Sequence, residues 1–384
     1  MRKFIIFLFC FYIVDILFFV DVFASEELIK GAVSGLLMDV DSGQIIYEKD
    51  IHKRVSVASM TKMMGQILIM EKIEEGSIKW DDVVTVSKTA QDMGGSQIYI
   101  EEGEKISVRD LMKGIAMASG NDATVMMAEV ISGSEEKFVK LMNKKAKELG
   151  LKNTYFKNST GLDEEGHYSS SYDMAIIARE LITKHPDILK FSSVYEDYLR
   201  EGTDKKFWLV NTNKLVHFYD GADGLKTGHT DDAGYCLAAT AKRDNLRIIA
   251  IVLGEDSASR RNSETMELLD YGFKNLKTRL LLSKNKTLKK IKVDKATKEI
   301  VEIILKDDLF VTEDIASEKT YEKEYVIDKI RLPIKKGDVV GKVVVYYKNK
   351  VIKKGDLTVK KDVYELSYFD LLFNEFRDLI VGDF

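Results

Sequence analysis

The alternation of apolar and polar positions divides the chain into a long mixed region, a strand-rich region and an apolar segment at each end. Residues 33–38 form a short apolar run, Asp39-Val40-Asp41-Ser42-Gly43 carries turn residues, and Gln44-Ile45-Ile46-Tyr47 resumes a strand, which predicts a hairpin. A helix opens at Ser59, continues through Ile67-Leu68-Ile69-Met70 and stops near Glu74-Glu75-Gly76, with Gly76 as its C-cap. Asp92-Met93-Gly94-Gly95-Ser96 reads as a small-residue loop. Ser107 and Asp110 have the spacing of a helix start, for a helix that ends at Ser119-Gly120-Asn121, and the next begins at Asp122-Ala123. Residues 137–149 are amphipathic, and 172–190 are helical up to His185-Pro186. Two strands follow at 235–241 and 246–253, joined by the turn Lys242-Arg243-Asp244-Asn245, and then a helix over 263–273. Strands before and after a block of helices predict an α+β fold whose terminal strands share one antiparallel sheet.

Beyond this region the period changes. Residues 280–361 are rich in Lys, Glu and Val, with short runs at 305–311, 325–330, 339–347 and 351–359 separated by Lys336-Gly337-Asp338 and Lys354-Gly355-Asp356. They predict a small β-rich second domain without catalytic groups. The last 22 residues return to a helical period, with Leu366, Phe369, Phe373, Phe376 and Ile380 on one face, broadened by Leu372 and Leu379. Such a stripe packs on the second domain or lies on a membrane surface, and five acidic residues beside the single Arg377 give it no attraction to anionic lipid.

At the other end Arg2-Lys3 precedes an apolar run over 4–14, and Val22-Phe23-Ala24 stands before Ser25. This is the three-part layout of a cleaved secretory signal, and Asp15 and Asp21 would be costly in an uncleaved membrane anchor. The expected layout is therefore a signal peptide over 1–24, a first domain over 25–277, a β-rich domain over 278–361 and an amphipathic helix over 362–384. Loss of Cys10 with the signal leaves Cys236 alone, in the apolar stretch Gly234-Tyr235-Cys236-Leu237, as a buried small hydrophobe rather than half of a disulfide. A 45% hydrophobic and 31% charged composition describes a folded chain, and a net charge of −4 gives no reason to expect a nucleic acid partner.

Candidate chemistry begins with Ser59-x-x-Lys62. Helical positions three apart share a face, so an amine can reach a hydroxyl and, once desolvated, take its proton. The same spacing recurs at Ser134/Lys137, which a helix start explains, and at Ser283/Lys286. The first copy differs because Ser119-Gly120-Asn121 and Lys226-Thr227-Gly228 follow it in order. Read alone, Lys226-Thr227-Gly228 would be an ordinary turn before a strand. The five histidines, His52, His167, His185, His217 and His229, form no His-x-x-x-His pair, so a metal-dependent peptidase is excluded and neither metal nor cofactor is expected.

On Ala58-Ser59-Met60-Thr61-Lys62-Met63, Ala118-Ser119-Gly120-Asn121-Asp122-Ala123, Asn158-Ser159-Thr160-Gly161-Leu162 and Asp223-Gly224-Leu225-Lys226-Thr227-Gly228-His229-Thr230, the chain resembles the low-molecular-weight penicillin-binding proteins, serine-type D-alanyl-D-alanine carboxypeptidases of peptidase family S11. The likeness spans about residues 28–275 and, less distinctly, the remainder. It implies the penicillin-binding, serine β-lactamase-like transpeptidase fold and a peptidoglycan stem peptide ending in D-Ala-D-Ala as substrate, with β-lactams as covalent inhibitors. Ser59 would be the nucleophile and Lys62 its base, its pKa lowered by burial beside Lys226. Ser119 would relay a proton, Asn121 orient Lys62 or substrate, Lys226 and Thr227 hold the substrate carboxylate, and Gly228 let the substrate backbone approach an edge strand. The backbone N–H groups of Ser59 and His229 would form the oxyanion hole. His167 matches a position near the hydrolytic water, although a lone histidine in a polar loop also serves structure; Ser96 and Arg261 would touch substrate or serve as surface and capping residues. A class A β-lactamase would need a deacylating glutamate, and no Glu-x-x-Leu-Asn string occurs between the second motif and Lys226. An endopeptidase and a non-enzymatic wall-binding scaffold remain the other readings.

Overall fold

A computed structural model describes residues 27–367 except 285, 317, 318 and 329. The signal segment and residues 368–384 of the apolar stripe lie outside the described residues. The first domain is built on one antiparallel sheet of five strands: β1 (Ser34–Asp39), β2 (Ile45–Lys49), β3 (Ala222–Thr230), β4 (Gly234–Arg243) and β5 (Leu246–Glu255), in the order β2-β1-β5-β4-β3. The first strands thus pair with the last, Leu36 of β1 opposite Ile251 of β5, as an α+β reading requires.

Alternation of side chains gives this sheet two buried faces. Leu36, Met38, Ile249, Ile251 and Leu253 face one core with helices α1 (Lys62–Glu74), α2 (Asn121–Ser132), α3 (Glu135–Glu148) and α4 (Ser171–Lys184). Leu37, Ile248, Ala250 and Val252 face the other, covered by Leu268 and Leu269 of α5 (Ala258–Asn275). α1 is buried on every side from Lys62 to Met70, which explains its nearly unbroken apolar sequence and the absence of a polar stripe. Among the described residues no helix is long and apolar enough to cross a membrane.

Residues 222–230 are the full edge strand β3, as the resemblance implied, and not the turn that Lys226-Thr227-Gly228 read alone would be: it continues the ladder with β4, Lys226 opposite Ala238 and Gly228 opposite Cys236. Two expectations change. α5 starts five residues earlier than its apolar period suggests, since Ser257 caps it by accepting the Arg260 N–H. The run at 305–311 contains a turn: Ile300–Leu305 and Leu309–Asp314 are separate strands.

The second domain has a five-stranded antiparallel sheet (Lys289–Lys292, Ile300–Leu305, Lys350–Val359, Gly341–Tyr347, Glu322–Ile327) and a two-stranded one pairing Leu276–Leu282 with Leu309–Asp314. Its core is largely valine, isoleucine and leucine, including Val301, Ile303, Val311, Val343, Val345 and Val359. The Thr312 hydroxyl donates to Asp39 at 3.0 Å and Lys353 pairs with Asp41 at 2.6 Å, joining it to the end of β1. Among the described residues, 363–366 are extended rather than helical. Val363 bridges Ile334, Glu365 bridges Ala296, and Leu366 N–H donates to Lys295 C=O, so Leu366 does not belong to a helical stripe.

Candidate active site

Ala58–Thr61 form a 3₁₀ turn that runs straight into α1 at Lys62. Ala58 holds φ at +46°, a left-handed conformation that costs a non-glycine residue free energy and persists only when its surroundings enforce it. Two glycines close around this turn. A Cβ on Gly161 would stand 1.9 Å from Ala58 C=O, and one on Gly228 would stand 2.6 Å from Val57 C=O. Gly161 also has φ +83°, so both space and conformation require glycine there. At Gly228 the need is contact between β3 and the Ser59 turn, a reason independent of substrate approach.

Ser59 is half-buried and Lys62 has no exposed surface. Lys62 Nζ lies 2.7 Å from each of three oxygens: Ser59 Oγ, Asn121 Oδ1 and Thr160 C=O. Two of these can only accept. A neutral amine has two N–H groups and one lone pair, and an ammonium has three N–H groups. The neutral form therefore donates to Asn121 and Thr160 and accepts the Ser59 proton, and the charged form donates to all three. Proton transfer between Ser59 and Lys62 needs no heavy-atom movement. Burial drives the Lys62 pKa well below that of a free lysine, the positive charge of Lys226 lowers it further, and Asp122 opposes both.

Asn121 is oriented by its own neighbours, its Nδ2 donating to Gly94 C=O at 2.7 Å and its backbone N–H to Ser96 C=O at 2.7 Å. Asp122 accepts the N–H groups of Ile98 and Ile100, so the loop carrying Ser96 is fastened to the second motif. Ser119 has φ +62° and is 4% exposed, and its Oγ makes no hydrogen bond among the described residues. A buried, unpartnered hydroxyl beside the lysine's amide partner is a group held ready for another molecule.

β3 supplies the opposite wall. Lys226 has no exposed surface, Nζ donating to Thr227 C=O at 3.1 Å, and burial with the positive charge of Arg261 lowers its pKa to about 7. Thr227 Oγ1 donates to Thr212 Oγ1 at 2.8 Å. The His229 ring is exposed and tilts against Tyr235 at 4.0 Å. Arg261 is buried on α5, its guanidinium donating to the Asn262 side chain. Ser96 is exposed at the rim, its carbonyl engaged by Asn121.

His167 lies behind the turn. Its Nδ1 accepts the Lys157 N–H at 3.3 Å and its Nε2 meets Thr61 Oγ1 at 2.8 Å, and burial lowers its pKa to about 4. It is thus a neutral ring bearing its proton on Nε2, and it braces Thr61 without touching Ser59 or Lys62. Ser134 Oγ accepts the Lys137 N–H at 3.3 Å, the capping geometry its sequence suggests.

Sequence reading missed four contributors. Thr160 stood inside a quoted string without a role, because it bonds Lys62 through its carbonyl, which any residue type supplies. Asp122 stood inside a quoted motif without a role, and Gly161 likewise. Thr212 lies in a polar stretch outside every motif. Among the described residues no group of three or more His, Cys, Asp or Glu is gathered to hold a metal ion.

A family model described as D-alanyl-D-alanine carboxypeptidase matches residues 22–257, and one described as penicillin-binding protein 5, C-terminal domain, matches 276–365. D-alanyl-D-alanine carboxypeptidase DacF of Bacillus subtilis is 48% identical over 350 residues, 91% of this chain and 90% of that protein. The crystal structure of penicillin binding protein 5 from Haemophilus influenzae superimposes with TM-score 0.67 at 35% identity, covering 87% of this chain and 98% of that one. Penicillin-binding protein D2 from Listeria monocytogenes, in its ampicillin-bound form, gives TM-score 0.57 at 33% identity over 63% of this chain and 97% of that one.

Proposed function

Because the chain belongs to the D-alanyl-D-alanine carboxypeptidase family, we propose that Ser59 is the nucleophile through which it removes the terminal D-Ala from peptidoglycan stem peptides. It is a serine-type D-Ala-D-Ala carboxypeptidase; the assignment of its residues rests on the geometry. The observation that carries it is the fully buried Lys62, 2.7 Å from Ser59 Oγ and held by two acceptors that leave its lone pair aimed at that hydroxyl.

Ser59 Oγ attacks the carbonyl carbon of the penultimate D-Ala as its proton passes to Lys62. The oxyanion is met by the backbone N–H groups of Ser59 and His229. Collapse breaks the peptide bond, and the departing amine of the last D-Ala takes a proton through the free hydroxyl of Ser119. Water then attacks the ester, gives its proton to Lys62, and releases the shortened peptide and Ser59. Lys226 and Thr227 hold the terminal carboxylate, which sets the enzyme to act on a free C-terminus, and Arg261 and Ser96 border the same region.

Penicillins acylate the same serine. Among the described residues no carboxylate hydrogen-bonds Ser59 or Lys62, and Asp122 is occupied by backbone N–H groups, which supports slow deacylation and inhibition over β-lactamase turnover. The signal-like N-terminus supports export to the cell-wall side of the cytoplasmic membrane, with the terminal apolar stripe in contact with the membrane surface. There the loss of the terminal D-Ala removes a donor for cross-linking. Incubation with a D-Ala-D-Ala peptide and, separately, a fluorescent penicillin is expected to yield free D-Ala and a labelled protein, both abolished in Ser59→Ala. Absence of both from the parent enzyme would defeat the reading, and rapid release of hydrolysed penicillin would replace it by a β-lactamase.

A further inference from the structure

The segment Asn211-Thr212-Asn213 is anchored more heavily than a connecting loop needs. Both asparagines are 1% exposed. Asn211 Nδ2 donates to Ser192 C=O at 3.0 Å and Val194 C=O at 2.9 Å, while its Oδ1 accepts the Asn213 N–H at 2.9 Å. Asn213 Nδ2 donates to Gly224 C=O of β3 at 2.8 Å, and its Oδ1 accepts the Leu215 N–H at 3.1 Å. Burying two amides is costly unless they are bonded, and here the bonds fix the one residue between them. Thr212 is half-buried; its N–H donates to Met117 C=O at 2.9 Å, two residues before Ser119, and its Oγ1 accepts from Thr227 Oγ1 at 2.8 Å. It therefore bridges the second and third motifs.

Two hydroxyls carry two protons. The bond between them consumes the Thr227 proton, so the Thr212 O–H is left to point elsewhere. We infer that Thr212 takes part in carboxylate recognition: by accepting from Thr227 it keeps its own O–H, which the pair presents to the anion drawn in by Lys226. This rests on the reading that Lys226 and Thr227 hold the substrate carboxylate.

The test compares acylation of the full chain by a penicillin and by its carboxyl methyl ester, which differ in that one charge. Thr212→Val is expected to slow acylation by the free acid about tenfold, the loss of one hydrogen bond to a charged group, and acylation by the ester less than about twofold. Thr212→Ser is expected to restore the parental ratio, and thermal melting checks that each variant is folded. Equal slowing with both compounds would mean that Thr212 only supports the fold, and parental rates with both would mean that it does nothing; either result overturns the inference. Ser59→Ala is run alongside: if it is still acylated, the reading of the site fails, whatever Thr212 does.

Discussion

Ser59-x-x-Lys62 and Ser134-x-x-Lys137 are the same spacing on two helix starts, and only the first buries its lysine amine against its serine hydroxyl. At Ser134 the side chain turns back to accept the Lys137 backbone N–H, leaving the lysine's side chain on the surface. At Ser59 the turn is 3₁₀, the helix begins at Lys62, and the lysine amine rather than its backbone N–H meets the serine hydroxyl. What separates them is burial: Lys62 is enclosed by Asn121, the 158–162 loop and Lys226, whereas α3 lies at the surface with only Phe138, Met142 and Ala146 buried. A spacing supplies reach, and the surroundings supply reactivity.

The comparison breaks most sharply at the serines themselves. Ser59→Ala is expected to lower D-Ala release by at least about 10⁴-fold, as for other hydrolases that lose their nucleophile. Ser134→Ala is expected to leave the rate at the parental value. Measured side by side as free D-Ala, an active Ser59→Ala would remove any ground for preferring the first copy.

The lysines come next. Lys62→Met keeps the volume and deletes the base, and the expected loss is about 10³-fold in both peptide hydrolysis and penicillin acylation, within the span of general-base contributions. Lys137→Met, on the exposed side, is expected to leave both within about twofold. Acylation of Lys62→Met at the parental rate would assign the base elsewhere.

A smaller effect is the pH dependence that burial imposes. As the proposed base Lys62 must be neutral, so activity is expected to fall on the acid side as its amine is protonated. In its proposed role Lys226 must be charged to hold a carboxylate, so kcat/KM for the free peptide is expected to fall as pH rises through about 7; Lys226→Arg, which stays charged, should flatten that alkaline limb. The folded state binds fewer protons than the unfolded chain between about 7 and the ordinary lysine value of about 10.4, so stability rises with pH across that window and the burial penalty is complete below it. Lys226→Met should therefore melt higher than the parent near pH 6, with the advantage fading toward pH 10. An advantage independent of pH would show that the charge is not the cause.

Much of this was legible before the structure. Alternating runs located β1, β4 and β5, and their distribution around the helices implied the shared sheet. β3 was not legible in the apolar pattern, because Asp223, Gly224, Lys226, Thr227 and Gly228 spoil its alternation; the strand tolerates them because it is the sheet's edge, paired on one side only. The three motifs named Ser59, Lys62, Ser119, Asn121, Lys226 and Thr227 through residue types that chemistry restricts. The role of Thr160 was hidden because a carbonyl carries no residue signature, and Thr212 because a hydroxyl that pairs with Thr227 needs only proximity. The β-rich domain was readable as strands but not in its pairing, since Lys-and-Val alternation looks alike in every register.

The smallest expected effect tests the quiet half of the comparison. If Ser134 is a cap, Ser134→Ala loses one side-chain bond to the Lys137 N–H and costs about 1 kcal/mol, a fall of about 2 °C in melting temperature. Ser134→Asp, which caps as well as serine and adds negative charge at a helix N-terminus, should restore it. Lys137→Ala should cost little, because the cap bonds its backbone and not its amine. If Lys137→Ala instead matched Ser134→Ala, the side chains would be interacting at this copy too, and burial alone would no longer separate the two.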